Sequence, residues 1–255
     1  MTDVREALAV QEVDAGTFVA PFTYDRGRVM DGGQLAAQAL NAALQTVPSS
    51  FDAHSIHGSF LAAGDALKPV ELHVLRDRDG RSFCQRHVTA YQDGRLLFRM
   101  SASFHVPEAG VDLQLLSMPS VRSVADSTGF EPGVIGFEAR DPALGGGRRR
   151  QAWVRPAAPL GPDPRWNACA LLYISDMFNA LPDGLVEDES GFQTSLDHAV
   201  WLHRPVRLDD WVLMTLESTT LASGRGWFKG EYFSAAGVHV ATSAQEMVYR
   251  PARPR

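Results

Sequence analysis

An internal repeat restricts the fold of this 255-residue chain more than any other feature. Residues 54–105 align with residues 198–248 at a nearly constant shift of 143 or 144 positions. The aligned pairs are Asp65 with Asp209, Gly80 with Gly224, Phe83 with Trp227, and Gly94 with Gly237. A repeat of this length indicates two copies of one structural unit, each too small to bury its apolar face alone.

Each copy has the pattern of an antiparallel meander. Apolar and polar residues alternate in runs of strand length, and glycine-containing turns separate the runs. In the first copy, the even-numbered residues from Leu96 to Ala102 are predicted to face one way and the odd-numbered residues from Leu97 to Ser103 the other. A sheet of this kind needs a second layer to cover its apolar face.

One helix in each half is predicted to provide that layer. Residues 34–44 follow two glycines and residues 167–181 end before a proline, and both segments are rich in Ala and Leu. Short strands are expected before each helix, at residues 17–22 and 27–30 in the first half and at 136–140 and 149–155 in the second. The sequence therefore predicts an α+β fold in which two antiparallel sheets each wrap around a central helix as a pseudo-dimer.

This pattern also divides the chain. We expect an N-terminal unit at residues 1–105, a connecting segment at 106–134 and a C-terminal unit at 135–255. The middle segment contains prolines, serines and glycines with weak periodicity, which is typical of a connection that crosses the surface.

Composition and charge limit the classes of function. Lys and Arg number 24 against 30 Asp and Glu, so no overall basic surface for nucleic acid is expected. The longest apolar runs fall short of the ~18 residues that a membrane span needs. Two cysteines are too few for a disulfide framework or a zinc knuckle, and the N-terminus does not have the pattern of a signal peptide. We therefore expect a cytoplasmic protein that binds neither nucleic acid nor membrane.

Five ordered segments carry a resemblance to a known family. They are DGGQLAAQAL (31–40), HSIHGSFLAAGD (54–65), LLYISDMFNALP (171–182), SLDHAVWLHRP (195–205) and ATSAQEMVYR (241–250). Together they resemble the double-hotdog acyl-CoA thioesterases, and most closely the TesB-like acyl-CoA thioesterase II branch. The resemblance implies acyl-CoA as the substrate and hydrolysis without a metal or other cofactor. A homo-oligomer of double-hotdog chains is compatible with the sequence, which does not fix the oligomeric state.

The resemblance also implies three catalytic residues. Asp176, Ser195 and Gln245 match the positions at which the family activates a water molecule for direct attack on the thioester. Thr194 is a second candidate for the hydroxyl. Independently, Asp176 is surrounded in sequence by apolar residues, and a carboxylate in such a helix needs a structural or catalytic reason. A carboxylate satisfied by backbone amides or by an arginine is the alternative interpretation.

Two further groups of residues are candidates for binding the substrate. The backbone amides of Gly33, Gln34 and Leu35 open the first helix and are predicted to hold the oxyanion; alternatively, the glycines only permit close packing. A second group, the arginines Arg76, Arg81 and Arg86, is predicted to bind the phosphates of coenzyme A, with Arg148–Arg150 as another option. A solvated charged loop would look the same.

The histidines do not form a recognisable metal or triad motif. His54, His57, His198 and His203 are predicted to be hydrogen-bonded structural residues, and Asp197 and His198 should point to opposite faces of one strand.

The repeat also predicts one active site per chain. Gln245 aligns with Ala102 and Ser195 with Phe51, and neither of these could do the chemistry of its counterpart. Asn41 lies near the position that corresponds to Asp176. We expect the first half to supply packing and oxyanion amides.

Two other functions are compatible with the same fold. One is a module that binds acyl-CoA without hydrolysing it, and the other is an enoyl-CoA hydratase, which would need an Asp and a His converging on the enoyl carbon. The preferred acyl chain, its branching and the pathway are not encoded in any pattern that the sequence displays.

Overall fold

A computed structural model describes residues 3–21, 25–26, 29–142, 149–177 and 192–250. The first half contains α1 (Val4–Ala7), β1 (Gln11–Asp14), β2 (Thr17–Ala20), β3 (Asp25–Arg26), β4 (Val29–Met30), α2 (Gly32–Gln45), β5 (Asp52–Phe60), β6 (Val70–Asp79), β7 (Phe83–Gln92) and β8 (Arg95–His105). The second half contains β9 (Thr128–Phe130), β10 (Phe137–Asp141), β11 (Arg149–Pro156), α3 (Pro164–Ser175), β12 (Phe192–Ser195), β13 (Asp197–Leu202), β14 (Val212–Ala222), β15 (Arg225–Ser234) and β16 (His239–Arg250).

The two predicted sheets are joined into one. The strand order is β1-β2-β6-β7-β8-β5-β13-β16-β15-β14-β11-β10-β9, and β12 pairs with β16 beside this path. The join is the antiparallel pair of β5 and β13, with residues 55–59 opposite residues 197–201. Each half contributes its meander on its own side of this seam, so the double-hotdog arrangement is confirmed and its two sheets are continuous.

The central helices pack against each other within this sheet. α2 begins after Asp31, whose side chain accepts a hydrogen bond from the Gln34 amide at 2.9 Å, and α3 begins after Asp163 with Pro164 in its first turn. The prediction for the first helix is confirmed within two residues at its start and one at its end. Apolar side chains of both helices belong to one core that spans both halves.

The second helix differs from its prediction. It starts three residues earlier, at Pro164, because Asp163 and Pro164 form a good helix start, and it ends at Ser175 instead of residue 181. Asp176 is its C-cap and is half-buried, so this carboxylate does not lie inside an apolar helix. The predicted remainder, residues 178–181, lies outside the described residues.

Two details of the meander also depart from the pattern. A bulge in the pairing of β7 with β8 turns Leu97 inward, where it is buried together with Phe98 and Met100. In the connecting segment, residues 128–130 form β9 and extend the sheet beside β10. The predicted division at residues 105 and 135 stays a prediction.

Polar residues of α2 hold the N-terminal segment in place. The side-chain amides of Gln34 and Gln38 donate to the carbonyl oxygen of Ala7 at 2.8 and 3.0 Å, and Asn41 donates to that of Leu8 at 2.8 Å. Gln34 and Gln38 are fully buried, so these bonds satisfy polar groups that would otherwise destabilise the core.

The seam strand β5 contains a glycine that the packing requires. A Cβ atom at Gly58 would lie 2.5 Å from Cζ and 2.6 Å from Cε2 of Phe98. Phe98 is fully buried and its ring contacts Phe60 at a centroid distance of 4.9 Å, so it has little room to shift.

We therefore expect Gly58→Val to destabilise the fold by about 1–3 kcal/mol, the usual cost of an overpacked core. Urea unfolding monitored by circular dichroism measures this change. Gly110→Ala is the matched control, because a Cβ atom at Gly110 meets nothing within 4 Å. Equal midpoints for both variants would contradict the packing role of Gly58.

Candidate active site

Three side chains from separate elements meet at the end of α3. Ser195 Oγ donates to Asp176 Oδ1 at 3.1 Å. Gln245 Nε2 lies 2.5 Å from the same carboxylate oxygen and 2.6 Å from Ser195 Oγ. Asp176, Ser195 and Gln245 thus form one hydrogen-bonded group in which each member contacts the other two, as the sequence predicts.

The sheet determines which side chains enter this group. Ser195 ends β12 and lies opposite Met247 in the register with β16, while the neighbouring Thr194 is exposed. Gln245 is only 3% exposed and alternates with Ser243 and Met247 on the inner face of β16. The geometry therefore selects Ser195 over Thr194, and it settles the facing of Gln245, which sequence alternation leaves open.

The start of α2 lies directly against the Asp176 carboxylate. A Cβ atom at Gly32 would be 3.1 Å from Asp176 Oδ2 and 2.9 Å from Cε1 of Phe60, and one at Gly33 would be 2.7 Å from the carbonyl oxygen of Tyr173. Only glycine permits this approach. The close contact is between the two helices instead of between helix and sheet, and it brings the positive end of the α2 dipole to the carboxylate.

Comparison with known proteins agrees with this arrangement. The family model for the acyl-CoA thioesterase N-terminal domain matches residues 21–105, and the model for the C-terminal domain matches residues 102–249. The chain belongs to the acyl-CoA thioesterase family. This result confirms the predicted activity, which is acyl-CoA hydrolysis. It does not favour the two alternatives, acyl-CoA binding without hydrolysis and enoyl-CoA hydration.

Individual relatives support the same assignment. The chain is 33% identical to acyl-CoA thioesterase 2 of Haemophilus influenzae over 88% of both proteins. It is 34% identical to acyl-coenzyme A thioesterase 8 of Mus musculus over 86% of this chain and 79% of that one. Among solved structures, acyl-CoA thioesterase II TesB2 from Mycobacterium marinum matches with a TM-score of 0.86 and 32% identity over 98% of both chains.

One more distant structure bears on the fold alone. A protein of unknown function with a hot dog fold from Alicyclobacillus acidocaldarius is 20% identical and superposes with a TM-score of 0.84 over 98% of both chains.

None of the described helices of this thioesterase combines the length and the apolar composition that a membrane-spanning helix needs.

Two of the three amides predicted to hold the oxyanion are already engaged. The Gln34 amide donates to Asp31 Oδ1 at 2.9 Å, and the Leu35 amide donates to the Asp31 carbonyl oxygen at 3.1 Å. The prediction for Gln34 and Leu35 is therefore wrong, because the N-cap of α2 uses both donors. Asp31 was not predicted, although an Asp directly before a helical pattern is an ordinary N-cap signal.

The prediction that Arg86 binds coenzyme A is also wrong. Arg86 is fully buried, and its guanidinium donates to Thr46 Oγ1 at 2.8 Å, to the Thr46 carbonyl oxygen at 3.0 Å and to Asp79 at 2.5 Å. It therefore holds the end of α2 against the sheet.

Arg76 and Arg81 are exposed; Arg76 lies level with Arg86 and Ala102, and Arg81 lies near the end of the strands that is farther from Asp176. Phe83, close to Arg81, pairs with His105, whereas Phe98 pairs with Phe60 beside Asp176. At ~3.3 Å per residue, the seven steps from Phe98 to His105 span about 23 Å. That Arg76 and Arg81 contact coenzyme A stays a prediction, since the phosphates of coenzyme A lie a long pantetheine arm away from its thioester. The other predicted phosphate-binding group is Arg148–Arg150, of which Arg148 and the side chain of Arg149 lie outside the described residues.

The histidines have hydroxyl partners. His54 Nε2 lies 2.9 Å from Ser103 Oγ, His57 Nε2 lies 2.9 Å from Ser55 Oγ, and His203 Nε2 lies 2.9 Å from Thr242 Oγ1. His198 is buried near Gln245, whereas Asp197 is exposed, as the strand alternation predicts. Across the described ranges, no cluster of three potential metal ligands occurs.

Burial controls the protonation of His198. Its side chain is 2% exposed, and desolvation lowers the pKa to about 4, although contacts with Gln245 and Asp197 act in the opposite direction. The imidazole is therefore neutral in the folded enzyme at neutral pH.

This shift predicts a pH-dependent stability. Between the unfolded pKa of about 6.5 and the folded value, the unfolded chain binds a proton that the folded one does not. The free energy of unfolding should therefore fall as pH falls from about 6.5 to 4, by up to about 3 kcal/mol. Urea unfolding across this range measures the effect, and it should be smaller in His198→Asn. Parallel curves for the two proteins would show that His198 does not titrate in this way.

Proposed function

We propose that this thioesterase hydrolyses acyl-CoA to a free acid and coenzyme A by direct attack of water, with Asp176 as the general base. The observation that carries the proposal is the three-way hydrogen bonding of Asp176, Ser195 and Gln245 at the start of α2. A carboxylate can accept a proton from water, and a hydroxyl and an amide beside it can fix the direction of the water lone pair.

The reaction then follows from the chemistry of these groups. Water held at the Asp176 carboxylate attacks the thioester carbon and transfers a proton to the carboxylate. The carbonyl oxygen becomes an oxyanion, and the tetrahedral intermediate collapses by breaking the carbon–sulfur bond. The coenzyme A thiolate leaves, and no acyl-enzyme forms. Holding the nucleophile and the base at fixed distance supplies much of the rate.

For the oxyanion we retain the amide of Gly33. It lies in the first turn of α2, where N–H groups have no partner within the helix and the helix dipole favours negative charge. The close contact of Gly33 with Asp176 and Tyr173 places this amide beside the proposed base. One well-placed donor of this kind contributes a factor of about 10²–10³ to kcat in acyl transfer.

We also propose one active site per chain. At the opposite end of the helix pair, Arg165 at the start of α3 donates to the carbonyl oxygens of Leu44 and Val47 at 3.2 and 3.1 Å. An arginine and backbone carbonyls thus occupy the place that corresponds to Asp176 and the α2 start. Asn41, which the sequence alignment places near the position of Asp176, donates to the Leu8 carbonyl oxygen and holds the N-terminal segment.

The setting of the enzyme is part of the proposal. We place it in the cytoplasm, in fatty acid and lipid metabolism, and we expect a homo-oligomer of double-hotdog chains. Cys84 and Cys169 are buried free thiols, and burial raises the pKa of both, which agrees with a reducing compartment.

Asp176→Asn should lower kcat by about 10²–10⁴, the usual effect of removing a general base. Both contacts from Ser195 and Gln245 go to Oδ1, and asparagine keeps a carbonyl oxygen for that position, so the variant should fold and bind acyl-CoA. Thiol release from a series of acyl-CoA esters, from acetyl to palmitoyl, measures kcat and identifies the preferred chain length. Asp197→Asn, an exposed neighbour, is the matched control and should keep the parent rate. Full activity in Asp176→Asn would refute the assignment of the base.

A non-hydrolysable acyl-CoA analogue should bind with a stoichiometry of one per chain, because only one end of the helix pair has the catalytic group. Isothermal titration calorimetry measures this ratio. In parallel, Asn41→Ala should lower stability but leave kcat near the parent value, since its side chain donates to the Leu8 carbonyl oxygen, away from Asp176. Two equivalent sites per chain, or loss of kcat in Asn41→Ala, would contradict the single-site proposal.

A further inference from the structure

His198 lies beside Gln245 on the inner face of the sheet. Ala199 pairs with Ala244 in the register of β13 with β16, His198 and Gln245 are the next residues on the two strands, and their side chains interact. Both side chains are buried, at 2% and 3% exposed. Directly opposite residues of an antiparallel pair have Cβ atoms about 4.5–5.5 Å apart, which is within reach of their polar ends.

Each of these two side chains has one polar atom without a hydrogen-bond partner among the described residues. They are His198 Nδ1 and Gln245 Oε1. The amide nitrogen of Gln245 is fully used, since its two hydrogens point to Asp176 Oδ1 and Ser195 Oγ. A buried polar atom without a partner destabilises the folded state, so a neighbouring donor and acceptor should pair.

We propose that His198 is a positioning residue whose neutral Nδ1–H donates to Gln245 Oε1 and so holds the amide nitrogen of Gln245 on Asp176 and Ser195. The inference rests on the proposed catalytic role of these three residues. If the amide turned by 180°, Oε1 would face the carboxylate, and both hydrogen bonds from Nε2 would be lost. The histidine therefore determines which end of the amide meets the base.

The partners of the other ring nitrogen are compatible with this tautomer. His198 Nε2 lies 2.7 Å from Ser175 Oγ, and the Ser175 hydroxyl can donate either to it or to the Leu172 carbonyl oxygen at 2.8 Å. Donation to Nε2 leaves Nδ1 protonated. The opposite choice would place the Nδ1 lone pair against the Gln245 Oε1 lone pair, which is unfavourable in a buried site.

Tyr232 can complete the chain of hydrogen bonds. Its buried hydroxyl contacts Ser243 Oγ at 3.0 Å and also interacts with the Ser175 side chain. A bond from Tyr232 to Ser175 would leave the Ser175 hydrogen for His198. Burial lowers the pKa of His198 to about 4, so the neutral ring is the form present at neutral pH.

The tautomer can be read directly by NMR on the full-length protein. With selective ¹⁵N-histidine labelling, long-range ¹H–¹⁵N correlations distinguish a protonated Nδ1 from a protonated Nε2, and the signals that disappear in His198→Asn identify His198. We expect a neutral ring protonated at Nδ1 at pH 7. A ring protonated at Nε2 alone would overturn the inference. This result does not depend on activity, so it stands apart from failure of the proposed catalytic residues.

The positioning role is tested by a series of substitutions at one site. His198→Leu should lower kcat by about 10–100-fold with little change in KM, because a displacement of about 1 Å in a catalytic group can cost 10²-fold. His198→Asn, whose amide nitrogen lies near the place of Nδ1, should recover most of this loss. His198→Gln, whose amide reaches toward Ser175 instead, should not.

Stability measurements separate this role from simple core packing. Each variant is also unfolded in urea, and kcat is expressed per folded protein. Equal kcat for the parent and His198→Leu would overturn the inference, as would failure of His198→Asn to exceed His198→Gln. If Asp176→Asn retained full activity while Nδ1 proved to be protonated, the catalytic assignment would fall and the hydrogen bond between His198 and Gln245 would remain.

Discussion

The antiparallel pairing of β5 with β13 is the interaction on which the rest of the structure depends. It joins two meanders that are far apart in sequence into one sheet and fixes the two central helices in opposite directions. As a result, the start of α2 meets the end of α3, where Gly33 contacts Asp176 and Tyr173. Without this seam, the start of α2 with Gly33 would lie on a separate unit from Asp176, Ser195 and Gln245.

Two helix ends act on the Asp176 carboxylate in opposite directions. The carboxylate lies at the start of α2, where the dipole is favourable, but also at the end of α3, where it is unfavourable. Each effect is about 0.3–1 kcal/mol, so they nearly cancel. A hydrogen bond to a charged group contributes about 1.5–3 kcal/mol, so the bonds from Ser195 and Gln245 stabilise a carboxylate here more than the dipole of either helix does.

The sequence predicts the meanders and the first helix well because local periodicity determines them. It fails where a contact from another element decides the outcome. Leu97 turns inward through a bulge that depends on pairing with β7, and the amides of Gln34 and Leu35 are taken by Asp31. Arg86 is different, because it shares strand parity with apolar neighbours such as Val88, so its burial could have been predicted from alternation.

In the candidate site, too, local patterns in the sequence predict part of the arrangement, and contacts between elements determine the rest. Resemblance to relatives selects Asp176, Ser195 and Gln245, and strand register then determines which side chains face inward. Periodicity alone could not place His198 opposite Gln245, because that pairing requires the alignment of β13 with β16. Alternation did separate Asp197 from His198, since adjacent strand residues point to opposite faces.

The segment between β8 and β9 links the two halves covalently, and this link affects which substitutions each half can accept. In a symmetric dimer of identical subunits, every substitution appears twice, at two equivalent places. Here the covalent link keeps the halves at high effective concentration, so that neither half must recognise a copy of itself. A substitution can then affect one half alone. In this chain Arg165 lies at one end of the helix pair and Asp176 lies at the other. A covalent link between the halves therefore removes the requirement that the two ends of the helix pair be identical.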